Sequence, residues 1–283
     1  VKLFDDRLVT LEISVGEKKL TYNQDFYIIA AGQSFTNGLF GDCAIRIDNI
    51  SKDDRDYLIT KTSQWNDNRE NALISLSVGR ASFGTFQLFN GHGIASNPSQ
   101  PPDIGLTIRS LTQAATLGIP NAFSAPTNVK LKDICQRVAD DAGLVLDFQV
   151  KVNKSINNYR YTGALGKQIQ RLNRLGVNAY IAQNSDTLIV TDIGAARDLP
   201  IAEINIDTGM IGVPQVNELG ATVKVLINEE RKIGEPVRIT SKINPAVNGD
   251  YLVMNLGYEI ASRDTPFYWI LDLKRIGRTT LAG

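Results

Sequence analysis

The sequence predicts a mainly β protein with a small inserted α+β domain between two β-rich parts. Three observations predict it. Across residues 1–115 and 195–283, apolar and polar side chains alternate with period two, the signature of strands with one buried and one wet face. From Thr127 to Asp192 the period changes to that of amphipathic helices, and outside this stretch there is almost no helical signal. The predicted divisions are therefore 1–115, 116–194 and 195–283, in keeping with a 283-residue chain that exceeds the usual size of one domain.

In the first part, Val9, Leu11, Ile13 and Val15 alternate with Thr10, Glu12 and Ser14. Phe26 to Ala31 is a more continuous apolar run, suited to a strand covered on both faces or to an interface. Gly32 to Asp42 is rich in turn residues yet carries Phe35, Leu39 and Phe40. It reads as a long hairpin loop whose aromatics either tuck onto their own β structure or contact a neighbouring subunit. Phe26, Tyr27, Ile28, Phe35, Leu39 and Phe40 are the candidate interface residues. Ala44 to Asp48 is the next strand. Ser51 can cap a short helix near Arg55 whose aspartates, Asp53, Asp54 and Asp56, lie at or near its positive end, a structural role. Ile74, Leu76 and Val78 alternate again, Phe86 to Phe89 ends at an Asn90-Gly91 turn, and Ile104, Leu106 and Ile108 follow the linker-like residues 97–102.

After a connector from Gln113 to Pro126, Thr127 can cap a helix burying Leu131, Ile134, Cys135, Val138, Ala139 and Ala142, ended by Gly143. Leu144 to Val150 alternates as a strand. A second helix from about Ala164 buries Leu165, Ile169, Leu172 and Leu175 and stops at Gly176. Two short strands, Ala179 to Gln183 and Thr187 to Asp192, join through a turn at residues 184–186. Leu131, Ile134, Val138, Ile169 and Leu172 are expected to share one local core.

In the third part, Ala221, Val223, Val225 and Ile227 form one strand and Val237, Ile239 and Ser241 another, around a turn at Gly234. Asn248-Gly249 is the strongest hairpin signal, and Phe267, Trp269, Leu271 and Leu273 make the last strand. Each β-rich part has enough strands for a barrel of its own.

Chemistry is sparse. His92 is the single histidine, placed in a turn with an exposed ring, which excludes multi-histidine metal sites. Gly163 to Lys167 lacks the spacing of a phosphate loop, because Tyr161 and Gln168 stand where a glycine and a hydroxyl residue belong. Asp140/Asp141 and Glu229/Glu230 are adjacent pairs that diverge. No catalytic, cofactor or metal site is assigned. The two cysteines, Cys43 and Cys135, read as reduced and packed, which suits synthesis in a cytoplasm. No run approaches the roughly 20 apolar residues of a membrane span. No signal-peptide pattern opens the sequence, and its start at Val1 leaves room for a removed initiator or leader. Thirty basic residues balance thirty acidic ones with no basic run, against a dedicated nucleic-acid binder.

Several stretches together resemble one family. Ala44 to Ser51, the paired runs Ser75 to Arg80 and Phe86 to Ile94, and Asp103 to Ser110 come first. The helices at Pro126 to Gly143 and Gly163 to Gly176 follow, then Thr208 to Pro214, Gly234 to Val237 and Asn248 to Tyr251. Their order and spacing are similar to those of the baseplate hub protein of contractile bacteriophage tails, a family related to the amino-terminal part of type VI secretion spike proteins. Asp48 departs from the bulkier residue usual there. The resemblance implies two tail-tube-like β-barrels flanking the inserted domain, no enzymatic activity and no cofactor. It also implies a homotrimer with a pseudo-sixfold ring that joins the hexameric tail tube to the trimeric central spike and leaves a channel for DNA. Tail tube protein, spike, tape-measure and baseplate wedge proteins are the implied partners, and the tail baseplate of the virion is the implied location. A hub of a secretion or tailocin-type machine is the near alternative. A carbohydrate-binding β module and a cell-wall hydrolase are the alternatives from other classes.

Overall fold

The computed structural model describes residues 5–38, 40–63, 65–101, 104–113, 119–125, 127–184 and 186–276. The first part comprises β1 (Arg7–Val15), β2 (Lys18–Tyr22), β3 (Tyr27–Phe35), β4 (Asp42–Asp48), α1 (Lys52–Thr62), β5 (Ala72–Arg80), β6 (Gly84–Pro98) and β7 (Leu106–Leu111). The middle holds β8 (Asn121–Ser124), β9 (Asn128–Lys130), α2 (Leu131–Asp141), β10 (Val145–Gln149), β11 (Ser155–Asn157), β12 (Arg160–Gly163), α3 (Leu165–Arg174), β13 (Asn178–Ile181) and β14 (Thr187–Thr191). The last part is all β: β15 (Ala202–Ile204), β16 (Met210–Val216), β17 (Gly220–Leu226), β18 (Pro236–Ile239), β19 (Gly249–Ala261) and β20 (Phe267–Arg275).

The two β-rich parts are joined in one 13-stranded sheet. Its main path runs β16-β17-β20-β19-β3-β4-β7-β6-β5-β1-β2, and β18 bridges β15 to β19. No ladder among the described residues closes this path on itself. The joint is β19, which at 13 residues is longer than either of the two strands that share its second edge. One edge pairs with β20 throughout, while the other pairs first with β18 at residues 249–252 and then with β3 at residues 255–261. The apolar faces of both parts also merge into one cluster, from Val9, Leu11 and Ile13 through Ile45 and Ile74 to Val225, Ile260 and Leu271. Trp269 of β20 ties the two parts together within it, stacked on Phe86 of β6 at 5.9 Å and edge-on to Tyr258 of β19 at 6.2 Å. Arg80 of β5 adds a polar tie. Almost fully buried, it donates from Nε to the Ile227 carbonyl at 2.7 Å and lies over the Phe267 ring.

Leu131, Ile134, Val138, Ile169 and Leu172 belong together in a second apolar cluster, with Cys135, Leu165 and Leu188. It fills the space between α2, α3 and a three-stranded sheet ordered β10-β14-β13. Tyr180, Ala182 and Ile189, from the far side of that sheet, join the main cluster instead, so the middle unit is packed onto the large sheet.

Several readings of the sequence need correction. Thr127 does not cap α2: Asn128–Lys130 forms β9 against β11, and the first turn is satisfied from a distance. Leu131 N–H donates to the Lys154 carbonyl at 2.9 Å, and Lys132 N–H donates to Asn153 Oδ1 at 3.0 Å. Asn90-Gly91 is no turn, because β6 runs straight through it to Pro98, and residues 97 and 98 are strand rather than linker. Gly91 is required by close approach instead: a Cβ there would stand 2.5 Å from the Leu111 carbonyl oxygen. His92 consequently lies within β6, half-buried, and burial lowers its pKa. β17 and β18 do not pair around Gly234; β17 lies between β16 and β20. The Asn248-Gly249 hairpin exists, with a longer connection that includes a 3-10 turn at Pro245–Val247. Two small ladders, β8 with β12 and β9 with β11, were not legible as strands.

Candidate assembly surface

The sequence-derived interface residues divide in the folded chain. Ile28 is wholly buried in the main core, and both edges of β3 are already paired, with β4 and β19. No free strand edge is left there for a neighbour. Phe26 is half-buried and packs edge-on against Tyr22 at 5.0 Å, while Tyr27 and Phe35 keep partial exposure. Phe40 turns towards the middle unit rather than its own sheet, where it packs against the second cluster. Gly166 of α3 lies beside the Phe40 ring, and Gly38 on the same hairpin faces Ile169. Leu39 lies outside the described residues.

Among the described residues, a further set of exposed apolar side chains lies elsewhere. Ile206, Ile211, Val213, Val216, Leu219 and Ile243 all project from the last part; Ile243 is 77% and Val216 67% exposed. Among the elements that carry them is β16, one terminal strand of the sheet, bonded to β17 alone among the described residues. A register shift between Ile211 and Gln215, where Pro214 also lies, makes this edge strand irregular in its pairing with β17. Ile206, Met210, Val213 and Ile243 line an open cavity of about 370 Å³ beside it. A blunted backbone with apolar side chains favours docking by side-chain packing over strand addition. The opposite end of the sheet differs. There β2 carries Lys18, paired with Asp54 at 2.6 Å, and Lys19, paired with Glu12 at 2.9 Å, charges that discourage edge pairing. The sequence carried a trace of the β16 surface in the run Met210-Ile211-Gly212-Val213-Pro214, but a short apolar run does not reveal that its strand stays uncovered.

The chain between β17 and β18 forms a buried polar joint with the middle unit. Gln183 donates to the Arg231 carbonyl at 2.8 Å, and Arg197 N–H donates to the Gly234 carbonyl at 2.9 Å. The Arg197 guanidinium also binds Asp147 of β10 at 3.0 Å. The Arg231 side chain, 1% exposed, lies between Glu229 and Glu235, the latter at 3.7 Å. Burial pushes the Glu235 carboxyl up to about 7, because desolvation outweighs an arginine beyond close contact. Raised in the folded state, this carboxyl contributes stability that is fully present below its ordinary value near 4.5 and is lost as pH rises through about 7. Glu235→Gln is expected to flatten the wild-type decline over that window by on the order of 2 to 3 kcal/mol. Chemical denaturation at several pH values checks this, and superimposable profiles would refute it.

Asp54 takes a structural part: its carboxylate binds Lys18, and its amide donates to the Ser51 cap at 3.1 Å, with the lysine holding its pKa below the usual range. Cys43 and Cys135 are both free and buried, in the first and second cluster respectively, and burial pushes each thiol up to about 12. Among the described residues no group of three histidine, cysteine or acidic side chains is gathered as for a metal. No helix among them is long and apolar enough to cross a membrane.

Solved structures share this fold. The 43 kDa tail protein of prophage MuSo2 from Shewanella oneidensis superposes with a TM-score of 0.64 at 9% identity, covering 94% of this chain and 98% of that one. A tail protein from Neisseria meningitidis MC58 gives 0.62 at 11% identity over 95% and 97%. The E. coli c3393 protein, described as a type VI secretion component structurally similar to bacteriophage T4 tail proteins gp27 and gp5, gives 0.60 at 10% identity over 94% and 77%. No curated protein matches by sequence. At such identities these likenesses speak for the fold alone. The baseplate hub gp41 family model, however, matches residues 8–273, and the chain belongs to that family.

Proposed function

We propose that this hub protein acts as a homotrimer whose two β-rich parts, 1–115 and 195–283, are tail-tube-like barrel modules. Tripled about a threefold axis, they form a pseudo-sixfold ring. The ring adapts the hexameric tail tube on one side to the trimeric spike on the other and leaves a channel through which DNA passes as cargo. The inserted unit, 116–194, sits on the outside, within reach of wedge proteins, and tape-measure protein ends at the ring. The role is structural rather than catalytic, and its place is the tail baseplate of a virion.

The observation that carries this reading is the β19–β3 ladder. It sets the two β-rich parts side by side in one sheet, with β2 at one terminus and the apolar β16 at the other. A contact of one end with the unlike end of the next copy is heterologous, the type that generates closed rings. Ile211, Val213, Val216 and Ile243 are the proposed core of that contact, with Phe26, Tyr27 and Phe35 contributing from the first part. The balanced charge of the chain suits a channel that lets a polyanion slide. Electron microscopy of the purified oligomer, or of tails containing it, is expected to resolve three copies in a ring with six similar lobes. A different copy number, or first and last parts with unrelated folds, would end the proposal. The likeness to the E. coli c3393 protein favours one second reading, the hub of a contractile secretion machine. The same ring is expected there, and neighbouring genes separate the two.

A further inference from the structure

The exposed face of α3 carries an unpaired cationic recess that the ring proposal does not use. The helix reads Leu165-Gly166-Lys167-Gln168-Ile169-Gln170-Arg171-Leu172-Asn173-Arg174 and contains no acidic residue. Leu165, Gln168, Ile169 and Leu172 are buried, and Lys167, Gln170, Arg171 and Arg174 occupy the opposite, exposed face at positions i, i+3, i+4 and i+7. With Tyr161 of β12 these four line a concavity of about 320 Å³. Every polar side chain around it can donate a hydrogen bond, and no carboxylate lines it. Some exposed cations elsewhere are paired with acids, as Arg137 is with Asp141 at 3.0 Å and Arg238 with Asp250 at 2.6 Å. Among the described residues Lys167, Arg171 and Arg174 have no such partner within salt-bridge distance. The two arginines at the carboxyl-terminal end complement the helix dipole, which accounts for their sign. It does not account for Lys167 or for the shared recess.

We propose that this recess is a docking site for an acidic polypeptide segment of a partner protein, two of whose carboxylates enter between Lys167, Arg171 and Arg174. Charge complementarity supports an acidic occupant, in a chain whose net charge as a whole is zero. Three further features favour carboxylates on a peptide over phosphate. The cations are spread over two helical turns, about 10 Å, which matches two side chains of one segment better than a single tetrahedral anion. Guanidinium forks bind carboxylates in a bidentate manner. Arg171 and Arg174 also lie in the last turn of α3, away from the free N–H groups of the helix start, where phosphate is ordinarily held. Duplex DNA presents one charge per about 1.7 Å of axis and requires a long basic stripe rather than a short recess. The site shares no residue with the β16 surface, so the two proposals stand or fall separately.

The test is fluorescence anisotropy of a labelled hexaglutamate peptide on the full chain at low salt, with inorganic phosphate and a twelve-nucleotide single strand as competing probes. Saturable binding that weakens with added salt is expected. Arg171→Glu combined with Arg174→Glu should weaken it at least tenfold, the milder Arg171→Gln with Arg174→Gln should weaken it less, and Arg109→Glu on β7 should leave it unchanged. Unaltered thermal melting identifies the loss as one of binding. Absence of binding, equal binding by the charge-reversed chain, or tighter binding of phosphate or the single strand would each overturn the proposal.

Discussion

Gly32→Ala is expected to destabilise the chain by about 3 kcal/mol, at the upper end of the cost of overpacking a filled interior. Gly32 lies on β3 opposite Cys43 of β4 and Tyr258 of β19, where the first and last parts meet. A Cβ there would stand 2.3 Å from the Asp42 carbonyl oxygen and 2.4 Å from the Tyr258 hydroxyl. The tyrosine cannot readily swing aside, since it is buried and its ring meets Trp269 edge-on. The carbonyl belongs to the neighbouring strand, so relief requires the ladder itself to part. Gly257, one register position away on β19, is the internal comparison. A Cβ at that position would approach its nearest atom, the Ile270 carbonyl oxygen, only to 3.2 Å, and Gly257→Ala is expected to cost less than about 1.5 kcal/mol. Urea denaturation of the two variants decides. Equal and mild effects would mean that β3 and β19 do not meet in this register.

That seam marks how far the sequence could be read. The alternation at Val9 to Val15 and at Phe267 to Leu273 identified strands because each has one dry and one wet face, and both appear as β1 and β20. The helices α2 and α3 were legible for the same local reason, down to the glycines that end them, both with positive φ. Partners were not legible. Nothing in Gly249 to Ala261 announces that one strand edge will serve β18 and then β3, a consequence of length and of which edges remain free. Gly91 shows the ambiguity within a single residue. Asn-Gly is ordinarily a turn, yet here the glycine admits a neighbouring carbonyl in mid-strand. The same limit applies to apolar runs. Phe26 to Ala31 is apolar because it runs through the middle of a sheet, whereas Met210 to Val216 looked unremarkable and proved to be an uncovered end. The α3 recess was half legible, because Lys167, Arg171 and Arg174 fall on one face by spacing alone. Only folding brought Tyr161 beside them and kept acids away.

Val213→Glu combined with Ile243→Glu is expected to prevent ring closure while leaving the fold intact. Both side chains are exposed in the single chain, so a charge at either position costs the fold little. In the closed ring each would otherwise leave water, at about 1.5 to 3 kcal/mol for a fully buried apolar side chain, and a glutamate would add an unpaired charge at a dry contact. The two losses together correspond to at least a hundredfold weaker association. Val145→Glu is the control, a residue as exposed as Val216 that lies on the middle unit and lines neither the cavity nor the β16 edge. Sedimentation velocity of the purified proteins, with melting curves to verify folding, separates the cases. An oligomer that survives both glutamates but falls apart with Val145→Glu would move the contact from the β16 end of the sheet to the inserted unit. A ring assembled through that unit could not stand the β-rich parts side by side around one channel, and the pseudo-sixfold adaptor would fail with it.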